Sequence, residues 1–450
     1  MQRHIIALAA LILAGADRVG AQVLTFNEAL QRAGRSAYAV RIAQGESAAT
    51  AGQSVSALRG ILPTVRIEGS YLRTNDPLSA FGFALRQRTL TPASFDPAAL
   101  NDPVAIGNVG TGIALEVPIF NADAWRGRRA AIEMHQAATA SEEWSRESAG
   151  SDVVQAYFGA VLATERVAAL DAGLLAAKAH VRQAESLLRN GEVTRSDALI
   201  AAVKAGEIEA ALIGATSDAT ITRRRLALAM GQPDDTAWTL PRALPDAGRV
   251  RTLAERAATE APPQAERADI RAALAMNSAS AADLERARAL YLPRVNSFGR
   301  LEWNSPSVPF GGRDSWTVGV MASWTPFAGA SQIGESQTAA GRNSATRAGV
   351  AAARANAALE LQESDAALQV AAARLVIAER AVDQGAEAHR IVGRKYDGGL
   401  ATVVELLDAA AVDVQARLAF AGARFQIIAA VAGRLRARGL NLDLLTMLDQ

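Results

Sequence analysis

The sequence predicts a mainly helical chain with a membrane β-barrel part, duplicated so that each half runs helix, β-hairpin, long helix and return helix. Three observations predict this fold class. Proline, the strongest helix breaker, does not occur after Pro326. Apolar side chains in that region repeat every seven residues, as in coiled coils, at Leu361, Leu368, Leu375 and Val382. Two other regions alternate apolar and polar side chains with the period of two that β-strands show.

Composition narrows the function before any motif is considered. The 450 residues carry a formal net charge of +1, whereas nucleic-acid binders usually have a basic surplus. The chain has no cysteine, which excludes disulfides, thiolate metal sites and a lipid-modified N-terminal cysteine. Aromatic residues make up only 5% of the chain and alanine is abundant, a composition that suits closely packed helices.

Residues 1–21 have the pattern of a signal peptide. Arg3 and His4 give a basic start, an apolar run covers residues 5–14, and small residues allow cleavage after Ala21. The alternative is an N-terminal anchor helix, which ten apolar residues are too few to form across a bilayer. No later stretch approaches twenty apolar residues, so we expect no transmembrane helix. Any membrane part must then be a β-barrel.

The first structural repeat is predicted over residues 22–248. It begins with a capping-box pattern at Thr25, and we expect its first helix to end near Leu62, before a proline. Alternating side chains then predict a β-hairpin over about 64–120. The two strands are joined by a loop over 75–102 that is rich in Pro, Asn, Asp and Ser.

A long coil over about 122–230 completes this repeat. Asn121 is predicted to cap the first helix of the coil, and a return helix begins near Ser196. The return helix is expected to stop at a Gly-Gln-Pro sequence that begins at Gly231.

A second structural repeat is predicted over residues 249–450. An irregular, proline-rich connector over 233–263 spans the boundary between the two repeats, and it contains one short helix near 250–261. Another helix leads to a hairpin over about 294–326 and a long coil over about 329–438. Local sequence matches support the duplication, because a repeated order of segments is hard to obtain by chance. The matches are Leu62–Pro63 with Leu292–Pro293, Val117–Phe120 with Trp324–Phe327, and Gly191 to Asp197 with Gly399 to Glu405.

Each half offers only two strands, and four strands from one chain cannot close a barrel. Open edges within a membrane would leave backbone groups unpaired, so we expect several chains to share one barrel. The strands have an apolar face suited to lipid and a polar face suited to a water-filled lumen. The polar face carries Arg66, Glu68, Glu116, Arg300 and Glu302. Trp303, Trp316 and Trp324 are predicted to form an aromatic girdle. The alternative is a soluble hairpin, packed on one side with tryptophan in its core.

The chain resembles the TolC family of outer-membrane ducts, which serve drug efflux pumps and type I secretion systems. The likeness covers nearly all of the mature chain and rests on the order and duplication of short segments. These are Leu24–Leu30, both leucine–proline pairs, Arg267–Ile270 and the two glycine-containing tips. The resemblance implies a homotrimer in outer-membrane lipid, with a shared barrel and a helical tunnel through the periplasm. It also implies two partners, a periplasmic adaptor protein and an inner-membrane transporter.

The resemblance further assigns a periplasmic gate. Residues 396–408 are similar to the family's gate segment, and within them Glu405 and Asp408 lie three apart on one helix face. In a trimer, that face would supply rings of carboxylates that attract cations. The alternative is an ordinary solvated acidic face. Asp197 and Tyr396 match family positions that tie neighbouring coils together in the closed state.

One position departs from the family's pattern. The arginine partner of that closed state falls at Ala401, so we expect a gate that ions hold less firmly, unless Arg195 or Arg394 substitutes. Gly191 and Gly399 match the tips that meet the adaptor's hairpin, and glycine permits the left-handed turn that such tips need.

Catalysis, a cofactor and a metal site are not expected. His135, His180 and His389 lie in predicted helices without the spacing of a metal-binding motif, so solvated or lumen-facing side chains are expected. No P-loop and no nucleophile-elbow sequence occurs. The remaining alternative is a soluble periplasmic coiled-coil adaptor or scaffold. Within the duct class the substrate stays open among drugs, metals and proteins.

Overall fold

The computed structural model describes residues 22–233, 238–260 and 265–449. The predicted signal peptide, residues 1–21, lies outside the described residues. Contacts divide the chain into two compact units, which we call the helical unit and the sheet unit. The helical unit comprises Met1–Gly45, Thr139–Arg271 and Ala352–Gln450, and the sheet unit comprises Glu46–Ala138 and Ala272–Ala351.

The described chain is mostly helical, and its elements follow the predicted duplicated order. The helices are α1 (Phe26–Ser36), α2 (Tyr38–Ser56), α3 (Pro77–Arg86), α4 (Pro97–Asn101), α5 (Ala122–Arg189), α6 (Arg195–Ala229), α7 (Ala247–Thr259), α8 (Ala268–Ala289), α9 (Ser331–Asp397) and α10 (Val403–Ala437). The strands are β1 (Gln22–Val23), β2 (Thr64–Thr74), β3 (Ile106–Phe120), β4 (Trp238–Thr239), β5 (Arg294–Ser305) and β6 (Arg313–Ser323). Short 3-10 helices cover Ala57–Gly60, Pro92–Phe95 and Asp443–Asp449.

The two long helices match in length, as the duplication predicts. Helix α5 has 68 residues and α9 has 67, so each is about 100 Å long at ~1.5 Å per residue. Their return helices, α6 and α10, have 35 residues each. Both return helices end at a glycine in the left-handed region, with φ of +72° at Gly231 and +70° at Gly439. The prediction of two copies of long helix and return helix is confirmed.

The first helix differs from its prediction. A single helix from Thr25 to about Leu62 is wrong, because Ala37 breaks it with a ψ of 136° and separates α1 from α2. The break places the backbone of Ser36 against Gly231, where a Cβ atom would lie 2.0 Å from the Ser36 carbonyl oxygen. Glycine is therefore required at position 231 for space as well as for its φ.

Both hairpins belong to one antiparallel sheet with the strand order β2-β3-β5-β6. The register pairs Ile67 with Ile113, Ile113 with Leu301, and Leu301 with Trp316, which gives an apolar row across all four strands. The adjacent row joins Arg66, Ala114, Arg300 and Thr317 on the opposite face. The predicted division into one apolar face and one polar face is confirmed.

The loop predicted over 75–102 contains regular structure. Helices α3 and α4 and one 3-10 helix lie within it, so the predicted loop is partly helical. Each begins with a capping residue followed by proline, and Asp76 accepts a hydrogen bond from the Ser79 backbone nitrogen at 2.8 Å. Proline at the first helical position is a start signal, so the sequence held enough information to find these helices.

Asn121 lies before α5 but does not cap it with its side chain, so that prediction is wrong. Its amide nitrogen donates to the Gly60 carbonyl at 3.4 Å and to the Asn296 side chain at 3.2 Å. The backbone carbonyl of Asn121 instead accepts from the amides of Ala124 and Trp125. The Asn121 side chain thus joins the start of α5 to Gly60 and to strand β5 within the sheet unit.

The core of the helical unit forms where α1, α5, α6, α7, α9 and α10 pack. Its largest fully buried members are Phe26, Leu24, Leu226, Met230, Leu253, Leu375, Ile427, Ile428, Leu435 and Leu445. The ring of Phe26 lies 5.7 Å from that of Tyr157 and 5.1 Å from that of Phe158, which are ordinary distances for interacting aromatic rings. A short helix predicted near 250–261 is confirmed as α7, which belongs to this core.

Two long-range contacts in this unit were not foreseen from the sequence. The Asp449 carboxylate accepts from the backbone nitrogens of Phe26 at 2.7 Å and Asn27 at 2.8 Å, so the end of the chain caps its first helix. Strands β1 and β4 also pair in parallel. Neither leaves a local sequence signal, since each joins segments more than two hundred residues apart.

Helix α10 is long and apolar enough to cross a membrane by length and composition alone. The expectation that the chain has no transmembrane helix stays a prediction. Half of its most apolar window is buried inside the structure, and Ile427, Ile428 and Val431 lie in the core. Core packing accounts for its apolar character.

Candidate functional site

The candidate site is the pair of tips at which the long helices reverse. Gly191 follows α5 with a φ of +76°, and Gly399 follows α9 with a φ of +69°. At both tips the next amide reaches back to the last turn of the helix, from Glu192 to Leu187 at 2.9 Å and from Leu400 to Lys395 at 2.7 Å. This is the Schellman arrangement, which satisfies the free carbonyls at a helix end. A Cβ atom at Gly191 or Gly399 would meet nothing within 4 Å, so backbone conformation alone calls for glycine.

Each return helix then begins with a capping box. Thr194 accepts from the Asp197 amide at 3.2 Å, and Asp197 accepts from the Thr194 amide at 3.0 Å. Thr402 accepts from the Glu405 amide at 3.2 Å, and Glu405 accepts from the Thr402 amide at 2.7 Å. Two residues predicted for the gate, Asp197 and Glu405, therefore occupy the same capping position in the two repeats.

A small apolar cluster lies beneath the two tips and holds them together. It joins small residues of α5 and α6 to larger side chains of α9 and α10. Its buried members are Ala184, Ala198, Ala201, Tyr396, Val403, Leu406 and Leu407. Ala401, at the position where the resemblance implies an arginine, packs against this cluster. At position 401 an apolar contact therefore stands where the resemblance implies a charged side chain. Within the described part of the chain, Asp197 is bonded to Thr194 and forms no ion pair with Arg195 or Arg394.

Tyr396 is only 9% exposed, and its hydroxyl has no hydrogen-bond partner within the described residues. Burial raises the pKa of Tyr396, and the nearby charges of Asp197 and then Asp397 raise it further. Asp197 is thus near Tyr396, but its carboxylate is hydrogen-bonded to Thr194. The structure brings the two residues to the same place without a hydrogen bond between them.

Asp408 connects the two return helices. Its Oδ1 lies 3.9 Å from Nζ of Lys204 on α6, and the same Nζ lies 3.4 Å from Glu207. Both partners of the Lys204–Asp408 pair are solvent-exposed, and exposed pairs of this kind contribute about 0–1 kcal/mol. The acidic face predicted from Glu405 and Asp408 is therefore split, because Glu405 caps its helix and Asp408 faces a lysine.

A cavity of about 710 Å³ lies next to the tips, between α5, α6, α9 and α10. Its walls combine small residues, mainly alanine, with polar side chains that include His180, Lys204 and His389. Nδ1 of His389 lies 3.6 Å from Asp413, which also pairs with Arg417 at 2.9 Å.

The histidines are more enclosed than predicted. Burial lowers the pKa of His180, and the neighbouring His389 lowers it further, against a hydrogen bond to Gln183 and the charge of Asp397. His135 lies 3.3 Å from the Thr50 hydroxyl in the sheet unit. All three histidine side chains are half-buried. Among the described residues, no group of side chains could hold a metal ion.

The three predicted girdle tryptophans lie on or next to the second hairpin: Trp303 on β5, Trp316 on β6 and Trp324 directly after β6. Trp316 is 72% exposed near one end, and Trp303 packs against Phe310 with their ring centroids 5.4 Å apart. Trp324 follows the last residue of β6, so its placement within the strand is wrong. It is 63% exposed, and its indole nitrogen donates to the Tyr291 carbonyl at 3.0 Å.

Comparison with protein families identifies the class. The family model described as "Outer membrane efflux protein" matches residues 29–232 and 263–437. The chain belongs to the outer membrane efflux protein family, and the resemblance to outer-membrane ducts is confirmed. It is accordingly an outer-membrane channel protein with a helical periplasmic extension, and both the family and the structural neighbours are channels rather than enzymes.

Solved structures share the fold at low sequence identity. A membrane protein from Pseudomonas aeruginosa has 20% identity and a TM-score of 0.76, covering 92% of this chain and 93% of that one. The CmeC outer membrane channel of Campylobacter jejuni has 17% identity and a TM-score of 0.76, covering 92% and 85%. The outer membrane protein VceC of Vibrio cholerae has 19% identity and a TM-score of 0.75, covering 92% and 96%. No curated protein matches the sequence.

Proposed function

We propose that three copies of this chain assemble the exit duct of a tripartite efflux pump, or of a type I secretion system, and share one β-barrel. The observation that carries this proposal is the sheet itself. Strands β2 and β6 are its two edges, and each has 11 residues, the length that a tilted strand needs to cross a bilayer. Within a membrane these edges must find partners, and neighbouring copies of the same sheet supply them.

The exposed apolar face supports contact with lipid. Val65, Ile67, Trp316, Val318 and Val320 all lie on this face, and each is at least 66% exposed. The opposite face, with Arg66, Glu68, Arg300 and Glu302, would line the water-filled lumen. Exposed tryptophans near both ends of β6 suit the two membrane interfaces.

The tips are proposed as the periplasmic gate and as the surface that meets the partners. Gly191 and Gly399 would contact a periplasmic adaptor protein, which in turn joins the duct to an inner-membrane transporter. Tyr396 and Asp197 would help to hold the tips closed. Glu405 and Asp408 would place carboxylates around the opening in a trimer, where they would favour cations.

The gate is proposed to depend more on apolar packing than on ion pairs. Ala401 adds to the cluster under the tips, and the nearby Lys204–Asp408 pair is exposed. Energy for transport would come from the inner-membrane partner, since the duct is passive. Whether drugs, metals or proteins pass would be set mainly by that partner.

A pair of arginine substitutions on β6 tests the proposed barrel. Val318→Arg places a charge on the apolar face, which costs about 2–4 kcal/mol near the centre of a bilayer. Ser315→Arg is the matched control, because Ser315 lies on the polar face opposite Glu302. We expect Val318→Arg to abolish the outer-membrane trimer and Ser315→Arg to retain it, as measured by membrane fractionation and the mass of the detergent-extracted protein. If the wild-type protein is a soluble monomer and neither substitution changes this, the protein is instead a periplasmic scaffold.

A further inference from the structure

The connection between β2 and β3 folds back onto the polar face of the sheet. Gln87, which follows α3, is only 8% exposed. Its amide nitrogen donates to the Asn108 side chain and to the Gly107 carbonyl, both at 2.9 Å. The end of α3 is thereby fixed to β3.

The contact continues across the sheet through a second amide. The Asn108 side chain donates to that of Asn304 on β5 at 2.9 Å, and these two residues are 3% and 5% exposed. Both lie on the face that carries Glu68 and Glu302, because Gly112 pairs with both glutamates and alternate residues share a face. Buried amides are costly to leave unpaired, so Gln87 is firmly held.

A polar cavity of about 310 Å³ lies at this place, lined by Phe83 and Arg86 of α3 and by Glu68, Ser70 and Glu302 of the sheet. At Gly110 and Gly112 the central strand β3 has no side chain on this face. Helix α3 can therefore lie close to the strands while leaving a space beneath it that is large enough for several water molecules.

The connection of the second hairpin behaves differently. The Phe310 amide donates to Thr111 at 2.9 Å, and the Phe310 ring packs on Trp303. Thr111 pairs with Trp303, so both belong to the apolar face. Of the two hairpin connections, the first covers the polar face and the second covers the apolar face.

We propose that residues 77–87, which we call the strap, lie inside the outer mouth of the duct and set the size of what can leave it. This inference rests on the proposed function, since the polar face lines a lumen only in a shared barrel. Helix α3 has 10 residues and is about 15 Å long at ~1.5 Å per residue. Three such helices, one from each copy, would narrow the mouth. The strap is a specificity determinant of passage that is separate from the gate at the periplasmic tips.

Thiol labelling from outside intact cells tests the strap independently of the periplasmic gate. The chain has no cysteine, so each introduced thiol is unique. Ser70→Cys places a thiol in the cavity beside the strap, and Asn101→Cys places one on the exposed part of the same connection. The probes are a small membrane-impermeant thiol reagent and the same reactive group on a polymer of several kilodaltons.

We expect the polymer reagent to label Asn101→Cys readily and Ser70→Cys at least about tenfold more slowly, with the small reagent labelling both. Adding Gln87→Leu to Ser70→Cys removes the amide anchor and should raise its labelling by the polymer about tenfold. Asn101→Leu, added in the same way, is the matched control and should change nothing.

The outcomes separate the strap from the duct. Equal labelling of both positions by the polymer, with Gln87 intact, would overturn the strap and leave the outer-membrane duct standing. Failure of both reagents to label Asn101→Cys would count against the proposed duct itself. If the Gln87→Leu variant fails to assemble, Ser70→Cys with the native strap still tests the proposal, because the small and polymer reagents should label it at different rates.

Discussion

The clearest test at the tips separates the charge of Glu405 from its hydrogen bonds. Glu405 accepts from the Thr402 amide at 2.7 Å and from its hydroxyl at 3.2 Å, while Thr402 accepts in return from the Glu405 amide. Glu405→Gln removes the charge but keeps an oxygen that can accept these bonds. Glu405→Ala removes both.

The expected magnitudes follow from these bonds. Loss of the hydrogen bonds that the Glu405 carboxylate accepts costs about 1 kcal/mol, which is about fivefold in the local opening equilibrium. Loss of the negative charge at a helix N-terminus costs about 0.5 kcal/mol when the site is exposed. Glu405→Ala should therefore loosen the first turn of α10 more than Glu405→Gln does, while both remove the proposed carboxylate ring.

Amide hydrogen exchange and ion selectivity provide the two measurements. We expect exchange in the first turn of α10 to rise about tenfold in Glu405→Ala and about twofold in Glu405→Gln. Selectivity for cations should fall equally in both variants. The capping box of Thr194 and Asp197 at the other tip is an internal control and should not change. Equal exchange in the two variants would refute the capping argument, and unchanged selectivity would refute the carboxylate ring.

Two further predictions concern stability. Gly231→Ala should lower the free energy of unfolding by about 3 kcal/mol and Gly191→Ala by about 1 kcal/mol, as measured by thermal unfolding. Both glycines have a positive φ, but only a Cβ atom at position 231 would meet the Ser36 backbone. Equal losses of stability would show that contact with Ser36 is not limiting. The lowered pKa of His180 means that the folded state binds fewer protons than the unfolded state, so stability should fall as the pH drops through 6.5. His180→Gln should weaken this pH dependence, and an unchanged pH dependence in that variant would contradict the assignment.

The sequence predicted those parts of the fold that have a local or periodic signal. The long coils were found because helix periodicity, an absence of proline and a glycine-containing turn all lie within each segment. The two faces of the sheet followed from alternation, which the register of Ile67, Ile113, Leu301 and Trp316 confirms. The duplicated order of these parts was also visible in the sequence, and the family likeness rested on it.

The parts that were missed depend on contacts between distant segments. Nothing near Phe26 indicates that Asp449 caps its helix. Nothing near Gln87 indicates that its amide donates to Asn108, which in turn donates to Asn304. Helix α3 is a different case, since Asp76 followed by proline is a start signal that was available in the sequence.

The assignment of the gate to the tips stays a prediction, but the bonding within the tips differs from what the spacing indicated. The spacing of Glu405 and Asp408 predicted one shared acidic face. In the structure Glu405 turns back to cap α10, and Asp408 faces Lys204 of another helix. A side chain's partner depends on the tertiary neighbours present, and spacing along one helix does not determine it.

The central claim is that the assembled protein is a duct closed at its periplasmic tips, and single-channel conductance in planar bilayers tests it most directly. The wild-type trimer should give small, cation-selective conductance steps. A tip variant that combines Thr402→Ala with Glu405→Ala should give larger steps, because the loss of the capping box favours opening. Conductance at the level of bare lipid for both proteins, with the trimer inserted, would contradict the account.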